Sequence, residues 1–214
     1  MAELASIRAM TANRNPLESD FPLVTERLIL NAPDPAHAAA HADYQCRNRL
    51  HLASTSPLRP DTWCTEIHWR ITLDNERREL LDGSGIALAL RRRADPDGPI
   101  IGLCRFGNVV RGPFQACHLG YSLDAAHTGH GYMTEALAAA IDYCFSRLGL
   151  NRVMANHLPE NEASARVLAR LGFEREGFAR DYLNIAGQWR DHVLTAKVNR
   201  PQHAARAARA ALIA

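Results

Sequence analysis

The stretch Leu119–Phe145 constrains the fold more than any other part of the chain. It reads L-G-Y-S-L-D-A-A-H-T-G-H-G-Y-M-T-E-A-L-A-A-A-I-D-Y-C-F. An alternating apolar run ends at Leu123, and a short polar turn holds Gly129 and Gly131. From Tyr132 the apolar residues change to helical spacing. Met133, Leu137, Ile141 and Phe145 share a face with Ala136, Ala140 and Cys144. The pattern predicts a strand, a glycine turn and a helix. The first turn of such a helix carries backbone N–H groups with no intrahelical acceptor. Two glycines without Cβ let a ligand come close to the backbone. Phosphate is the ligand that the free donors and the helix dipole favour. The Lys and Ser/Thr of a nucleoside-triphosphate loop do not follow the second glycine, and the turn is too short for a dinucleotide fingerprint.

The remaining bounds are broad. A chain of 214 residues suits one domain with a substantial core. A net charge of +2 does not argue for nucleic acid. Lys197 is the only lysine among 25 basic residues, a compositional bias rather than a site. Five cysteines, at 46, 64, 104, 117 and 144, form no C-x-x-C pair, and their wide spacing predicts reduced thiols in a cytoplasmic protein. No apolar run reaches membrane-spanning length and no leader pattern is visible.

Taken in order, residues 1–20 read as a mobile arm or a poorly packed helix. Phe21 to Asn31 is the first strand. Asp34 caps a helix through Ala38 to Leu50, and after a Ser/Pro-rich break Asp61 or Thr62 opens a second helix to Leu81. Trp63, Ile67 and Ile71 mark one face of that helix. Strands over 85–92, 100–110 and 114–123 form an antiparallel meander. After the glycine turn and its helix come a short strand at 152–157 and a helix opened by P-E-N-E-A-S and ended by Gly172. Two strands follow, Phe173 to Ile185 and Trp189 to Lys197. One globular domain is expected over 21–198, with an Ala/Arg-rich, solvated tail over 199–214.

The residues T-G-H-G-Y with E-A-L, then P-E-N-E-A-S, then L-A-R-L-G-F-E-R-E-G resemble the GNAT superfamily of N-acetyltransferases. T-E-R-L-I-L, G-N-V-V-R-G, H-L-G-Y-S-L and G-Q-W-R-D-H-V-L-T-A resemble its RimJ/RimL branch, over about residues 22–197. The resemblance implies an α+β fold, with a twisted mixed sheet of about seven strands and helices on both faces. It implies acetyl-CoA as co-substrate, lying in a V-shaped gap where the fourth and fifth strands splay apart. Its pyrophosphate would rest on Thr128, Gly129, His130, Gly131, Tyr132 and Met133. Its pantetheine arm would pair with Tyr121, Ser122 and Leu123, with Asn161 and Ser164 nearby. The family places Gln or Arg where this chain has Ala126, and Lys or Arg where it has His130, so less charge faces the phosphates here. No metal is implied. The branch acetylates the N-terminal amine of ribosomal proteins, here by expectation an alanine. The implied partner is therefore a ribosomal protein N-terminus or the ribosome, with no membrane and no sequence-specific nucleic acid, for a monomer or homodimer.

The chemistry narrows the residues. A protein α-amine, with a pKa of ~7.7–8.0, is partly neutral at pH 7, whereas a lysine amine at ~10.4 is not, so a modest base suffices. The position where many GNAT enzymes carry an acid tyrosine is Leu168, which holds no proton to give. Ser164, one helical turn earlier, is the expected donor to the thiolate. The expected bases are Glu160 and His118, with His157 beside them; each also reads as a peripheral residue. Glu135 complements the helix dipole. His37 and His41 read as a solvated helix face. Two other functions stay open: acetylation of a small amine such as an antibiotic or polyamine, and a weakly catalytic CoA-binding module on the ribosome.

Overall fold

The computed structural model describes residues 17–200. Within them an eight-stranded sheet runs in the order β1-β2-β3-β4-β5-β6-β8-β7. The strands are β1 (Leu23–Val24), β2 (Leu28–Asn31), β3 (Ile86–Arg92), β4 (Gly102–Val110), β5 (Ala116–Leu123), β6 (Arg152–His157), β7 (Glu174–Ile185) and β8 (Gln188–Val198). The α-helices are α1 (Ala38–Leu52), α2 (Glu66–Asp82), α3 (Tyr132–Ser146) and α4 (Glu162–Arg170). All strand pairs are antiparallel except β5–β6.

Strand alternation divides the core. Leu88, Leu90, Cys104, Phe106, Cys117 and Leu119 face α3, whose Met133, Ala136, Leu137, Ala140 and Ile141 are buried against them. The opposite face carries Ala89 and Leu103, covered by Tyr44 of α1 and by Trp69 and Leu73 of α2. Both faces are therefore covered by helices in the middle of the sheet, which is why I-A-L-A-L in β3 is apolar at every position. The expected mixed sheet with helices on both faces is present, with eight strands rather than seven. The difference lies at Thr25: its hydroxyl accepts from the Leu28 amide at 3.0 Å and its amide donates to the Leu28 carbonyl at 2.9 Å, folding the expected first strand into a hairpin.

Two further expectations are corrected. The residues from Asp61 to Cys64 form a separate 3-10 turn, and α2 starts after Thr65, whose hydroxyl accepts from the His68 amide. The inward face of α2 is Trp69, Leu73 and Leu80, while Ile67 and Ile71 are 75% and 61% exposed. Cys46 and Cys64 were expected as separate thiols. They form a disulfide with a Cα–Cα distance of 5.3 Å, because α1 and the 3-10 turn lie side by side. The other three cysteines are free and buried, and burial pushes the Cys104 thiol up to about 12, so it offers no thiolate.

The expected arm and tail fall largely outside the described residues, at 1–16 and 201–214. Residues 17–20 are held against the body. Leu17 packs on the core, Arg77 binds Glu18 at 2.8 Å, and Asp20 receives Tyr143 at 3.1 Å and Arg147 at 2.9 Å. None of the helices in the described residues is long and apolar enough to cross a membrane.

Candidate active site

The parallel pairing of β5 with β6 is short. It comprises Ala116 with Arg152, Cys117 with Val153 and His118 with Met154, and there it ends. Both strands continue, but apart. The backbone edge of β5 that faces β6 is left without a strand partner over Leu119–Leu123. A cavity of about 550 Å³ fills the gap, walled by Leu119–Leu123, Asn156–Leu158 and the Asn161, Ser164 and Val167 side of α4.

Gly129 and Gly131 sit at the floor of this cavity with φ of 81° and 77°, a left-handed conformation that other L-residues adopt only with strain. A Cβ built on Gly129 meets nothing within 4 Å. The turn is braced from both sides. On one, the Asp124 carboxylate caps the Ala126 amide at 2.9 Å and accepts from Asn48 at 3.0 Å and from Arg47, while the Asn48 carbonyl receives the Ala125 amide at 3.0 Å. Burial alone would raise the Asp124 carboxyl; these hydrogen bonds and the Arg47 charge outweigh it and hold it below its ordinary value. On the other side Glu135, expected only to complement the dipole, accepts from the Thr25 hydroxyl at 2.6 Å, the Arg27 amide at 2.8 Å and the Arg27 guanidinium at 2.6 Å. Arg27 also donates to the His130 carbonyl at 3.0 Å and lies 4.7 Å from the centre of the Tyr132 ring. The T-E-R segment thus clasps the start of α3 and brings a guanidinium beside a turn that lacks its own charge. No sequence pattern points to that contact, since Arg27 and Glu135 lie 108 residues apart.

Ser164 stands in the first turn of α4, where the Asn161 side chain caps its amide at 3.0 Å. Its hydroxyl lies 2.7 Å from the Tyr121 hydroxyl across the cavity. Burial pushes the Tyr121 phenol up to about 12, so it stays protonated at neutral pH and can donate. Leu168 is buried in the core. Leu168 carries no proton to give, and the hydroxyls that line the cavity beside it are those of Tyr121 on β5 and Ser164 on α4.

A second cavity of about 500 Å³ lies on the α1–α2 face and meets the first at Gly120–Ser122. Ser122 pairs with Tyr44 at 2.9 Å. The walls are Trp63, Trp69, Leu73, Leu103 and His41. His41 is not a solvated residue as expected: it is 5% exposed, its ring lies 4.9 Å from that of Trp69, and burial lowers it to about 4, so it is neutral. Glu76 lines the same cavity. Burial raises its carboxyl to about 7 from 4.5, the Arg105 charge opposes this, and Glu79 adds to it. The folded protein therefore keeps a proton that the unfolded chain has released between pH 4.5 and 7, and stability falls as pH rises through that window. Glu76→Gln is expected to be more stable than the parent at pH 8, by as much as about 3 kcal/mol, and equal to it at pH 4, as denaturant midpoints at the two pH values will show.

The structure brings Tyr121, Ser122, Leu123, Thr128, Gly129, Gly131, Tyr132, Met133, Asn161 and Ser164 to the walls of one cavity. It does not bring the expected bases there. His118 belongs to the last β5–β6 pair and lines neither cavity. Glu160 is exposed and bound to Arg190. His130 is not among the residues that wall the cavity; its ring centre lies 6.0 Å from that of Tyr132. His157 does line the cavity, its Nδ1 held by the Leu158 carbonyl at 2.9 Å. Missed from sequence were Asn156 and His192, which β6 and β8 place on the same cavity. Among the described residues no cluster of three or more His, Cys, Asp or Glu side chains is placed to hold a metal.

Comparison with known proteins agrees with this geometry. Residues 27–174 match the acetyltransferase (GNAT) domain. The [ribosomal protein uS5]-alanine N-acetyltransferase of Escherichia coli is 45% identical over 175 residues, covering 81% of this chain and 89% of that protein. The crystal structure of the ribosomal-protein-S5-alanine acetyltransferase from Vibrio fischeri superposes with a TM-score of 0.80 at 37% identity, over 84% of this chain and 97% of that one. Mycobacterium smegmatis RimJ in complex with CoA-disulfide superposes with a TM-score of 0.75 at 30% identity, over 81% and 83% of the two chains. With the domain match spanning most of the sheet and the Escherichia coli enzyme similar across nearly its whole length, the chain belongs to the GNAT acetyltransferases.

Proposed function

We propose that the protein transfers the acetyl group of acetyl-CoA to the N-terminal α-amine of a ribosomal protein whose first residue is alanine. The observation that carries this reading is the junction of the two cavities at Gly120–Ser122, beside the Tyr121–Ser164 pair. It supports a donor in the slot between β5 and β6 and an acceptor arriving from the α1–α2 face. The donors at the start of α3 suit a pyrophosphate, and the free edge of β5 suits an amide-bearing arm. When bound, the thioester supplies the acyl group. Tyr121 and Ser164 protonate the departing sulfur.

The second cavity favours a peptide over a polyamine. Glu76 is offset by Arg49, Arg59 and Arg105 on the same walls, so there is no acidic well for a polycation, while the tryptophans offer apolar surface to a chain end. The test is incubation with acetyl-CoA and peptides that differ only in their first residue, read by mass spectrometry. Acetyl is expected on the α-amine, with alanine ahead of bulky first residues by at least about tenfold, the scale of an apolar pocket's discrimination. Acetylation of free small amines alone would sink the ribosomal reading.

A further inference from the structure

We propose that His192 takes the proton from the acceptor's α-ammonium, a role that neither Glu160 nor His118 is placed to fill. The inference rests on the acetyltransferase reading above. His192 is 3% exposed, and the little that shows lines the slot between β5 and β6. Its Nδ1 lies 3.0 Å from the Arg190 carbonyl, which only accepts, so Nδ1 carries hydrogen. In the neutral ring Nε2 is then the lone-pair nitrogen. Nε2 makes no hydrogen bond among the described residues and is not sealed from solvent; the cavity is the space open to it.

The ring is held by the Arg190 carbonyl of its own strand and by Tyr182 of β7, which β6 positions in turn. It lies 5.6 Å from the Tyr182 ring on β7. The Tyr182 hydroxyl receives Asn156 Nδ2 of β6 at 3.1 Å, and the Asn156 carbonyl receives the Thr195 amide of β8 at 3.3 Å. The other titratable groups nearby are spoken for or face elsewhere. Arg190 binds Glu160, and Asp191 accepts the Asp181 amide at 2.9 Å. His157 pairs with Val193 and so points to the opposite face of the sheet from Asn156 and His192. His51, on α1, lines the cavity without bonding the ring.

Register separates base from acid. Asn156 is opposite Leu194, and His192 is two residues along, so both share the face of Gly120 and Ser122, where α1 and α2 lie. Tyr121 and Ser164 are on the other face. An amine entering from the α1–α2 side meets His192, and the sulfur leaves towards Tyr121 and Ser164. The balance closes. Nε2 takes one proton from the ammonium and later gives it to solvent. The freed lone pair forms the C–N bond, the C–S bond breaks, and a second nitrogen proton reaches sulfur through the hydroxyl pair. The products are an amide, a thiol and one proton.

The test compares the parent with His192→Asn and His192→Gln, using an alanine-first peptide between pH 6 and 9.5 and acetyl-CoA binding measured by calorimetry. At pH 7 kcat is expected to fall about 10²-fold, the deficit shrinking to a few-fold above pH 9, where the α-amine is neutral unaided. Acetyl-CoA affinity should not change. Imidazole nitrogen shifts of the parent at pH 8, without donor, should show Nδ1 protonated and Nε2 bare. A kcat within threefold of the parent with an unaltered pH profile, or the opposite tautomer, overturns the assignment. If neither variant folds, the parent decides. The acid limb of its kcat profile should stay in place when a peptide with a more acidic α-ammonium is used; a limb that follows the amine overturns the proposal. Should the parent acetylate only small amines, the same profile on those amines tests His192 while the ribosomal reading falls. No turnover with any amine removes both.

Discussion

Gly129→Asp is expected to weaken acetyl-CoA binding by at least about 10²-fold while the fold survives. Gly129 has φ of 81°, and aspartate is among the few residues that tolerate this region. Apart from the adjoining residues of the chain, no protein atom lies within 4 Å of the added Cβ, so an aspartate there has room without displacing the chain. The new carboxylate then sits among the first amides of α3, where the proposed pyrophosphate is held. It removes a helix-end interaction of about 0.3–1 kcal/mol per contact and adds a like charge. Two unit charges 4 Å apart near a protein surface repel by about 4 kcal/mol, so a tenfold loss for each 1.4 kcal/mol gives 10²-fold as a floor. Backbone strain of about 1–2 kcal/mol lowers the melting temperature by only a few degrees in a chain of this size. Calorimetric titration with acetyl-CoA and a thermal melt, run together, separate the two effects. Binding within threefold of the parent would mean that the phosphates lie elsewhere.

Ser164→Ala and Tyr121→Phe are each expected to lower kcat by about 10²-fold, the usual scale for one positioned proton donor, with acetyl-CoA affinity changed little. The two hydroxyls, 2.7 Å apart, form one relay. Once either is lost the other has no path, so the double variant should be little slower than the worse single one. Local folding is preserved in both. Asn161 still caps α4 through the backbone amide of residue 164, and alanine is the best helix former. Single-turnover rates after mixing with saturating acetyl-CoA measure the chemical step directly. Losses that multiply in the double variant would show that the two groups act separately.

Much of this arrangement was legible beforehand, and the misses have physical causes. The turn at Gly129 and Gly131 with its helix could be read because one face of α3 is buried along its whole length, so the apolar period is unbroken. The stretch from Asp61 to Ile71 misled because the helix start lies at Thr65, and a shift of a few residues rotates a helical face away from the core. His41 looked solvated because the alanines around it mark no apolar face that would bury an imidazole, whereas Trp69 covers it in space. The Cys46–Cys64 bond and the Arg27–Glu135 clasp join elements whose packing no local pattern encodes.

The chain's periodicities by themselves determined most of the strands and helices, the glycine turn and Ser164 in the first turn of its helix, because these depend on neighbours one helical turn or one strand pair away. Which imidazole faces the slot was decided only by tertiary structure. His118, His157 and His192 all follow from strand positions. Their side of the sheet, and whether the ladder has ended before them, is set by where β5 leaves β6 and by the register of β8. That register is a long-range packing choice between apolar faces, and it sets the proposed proton acceptor and the proposed proton donors on opposite faces of the sheet.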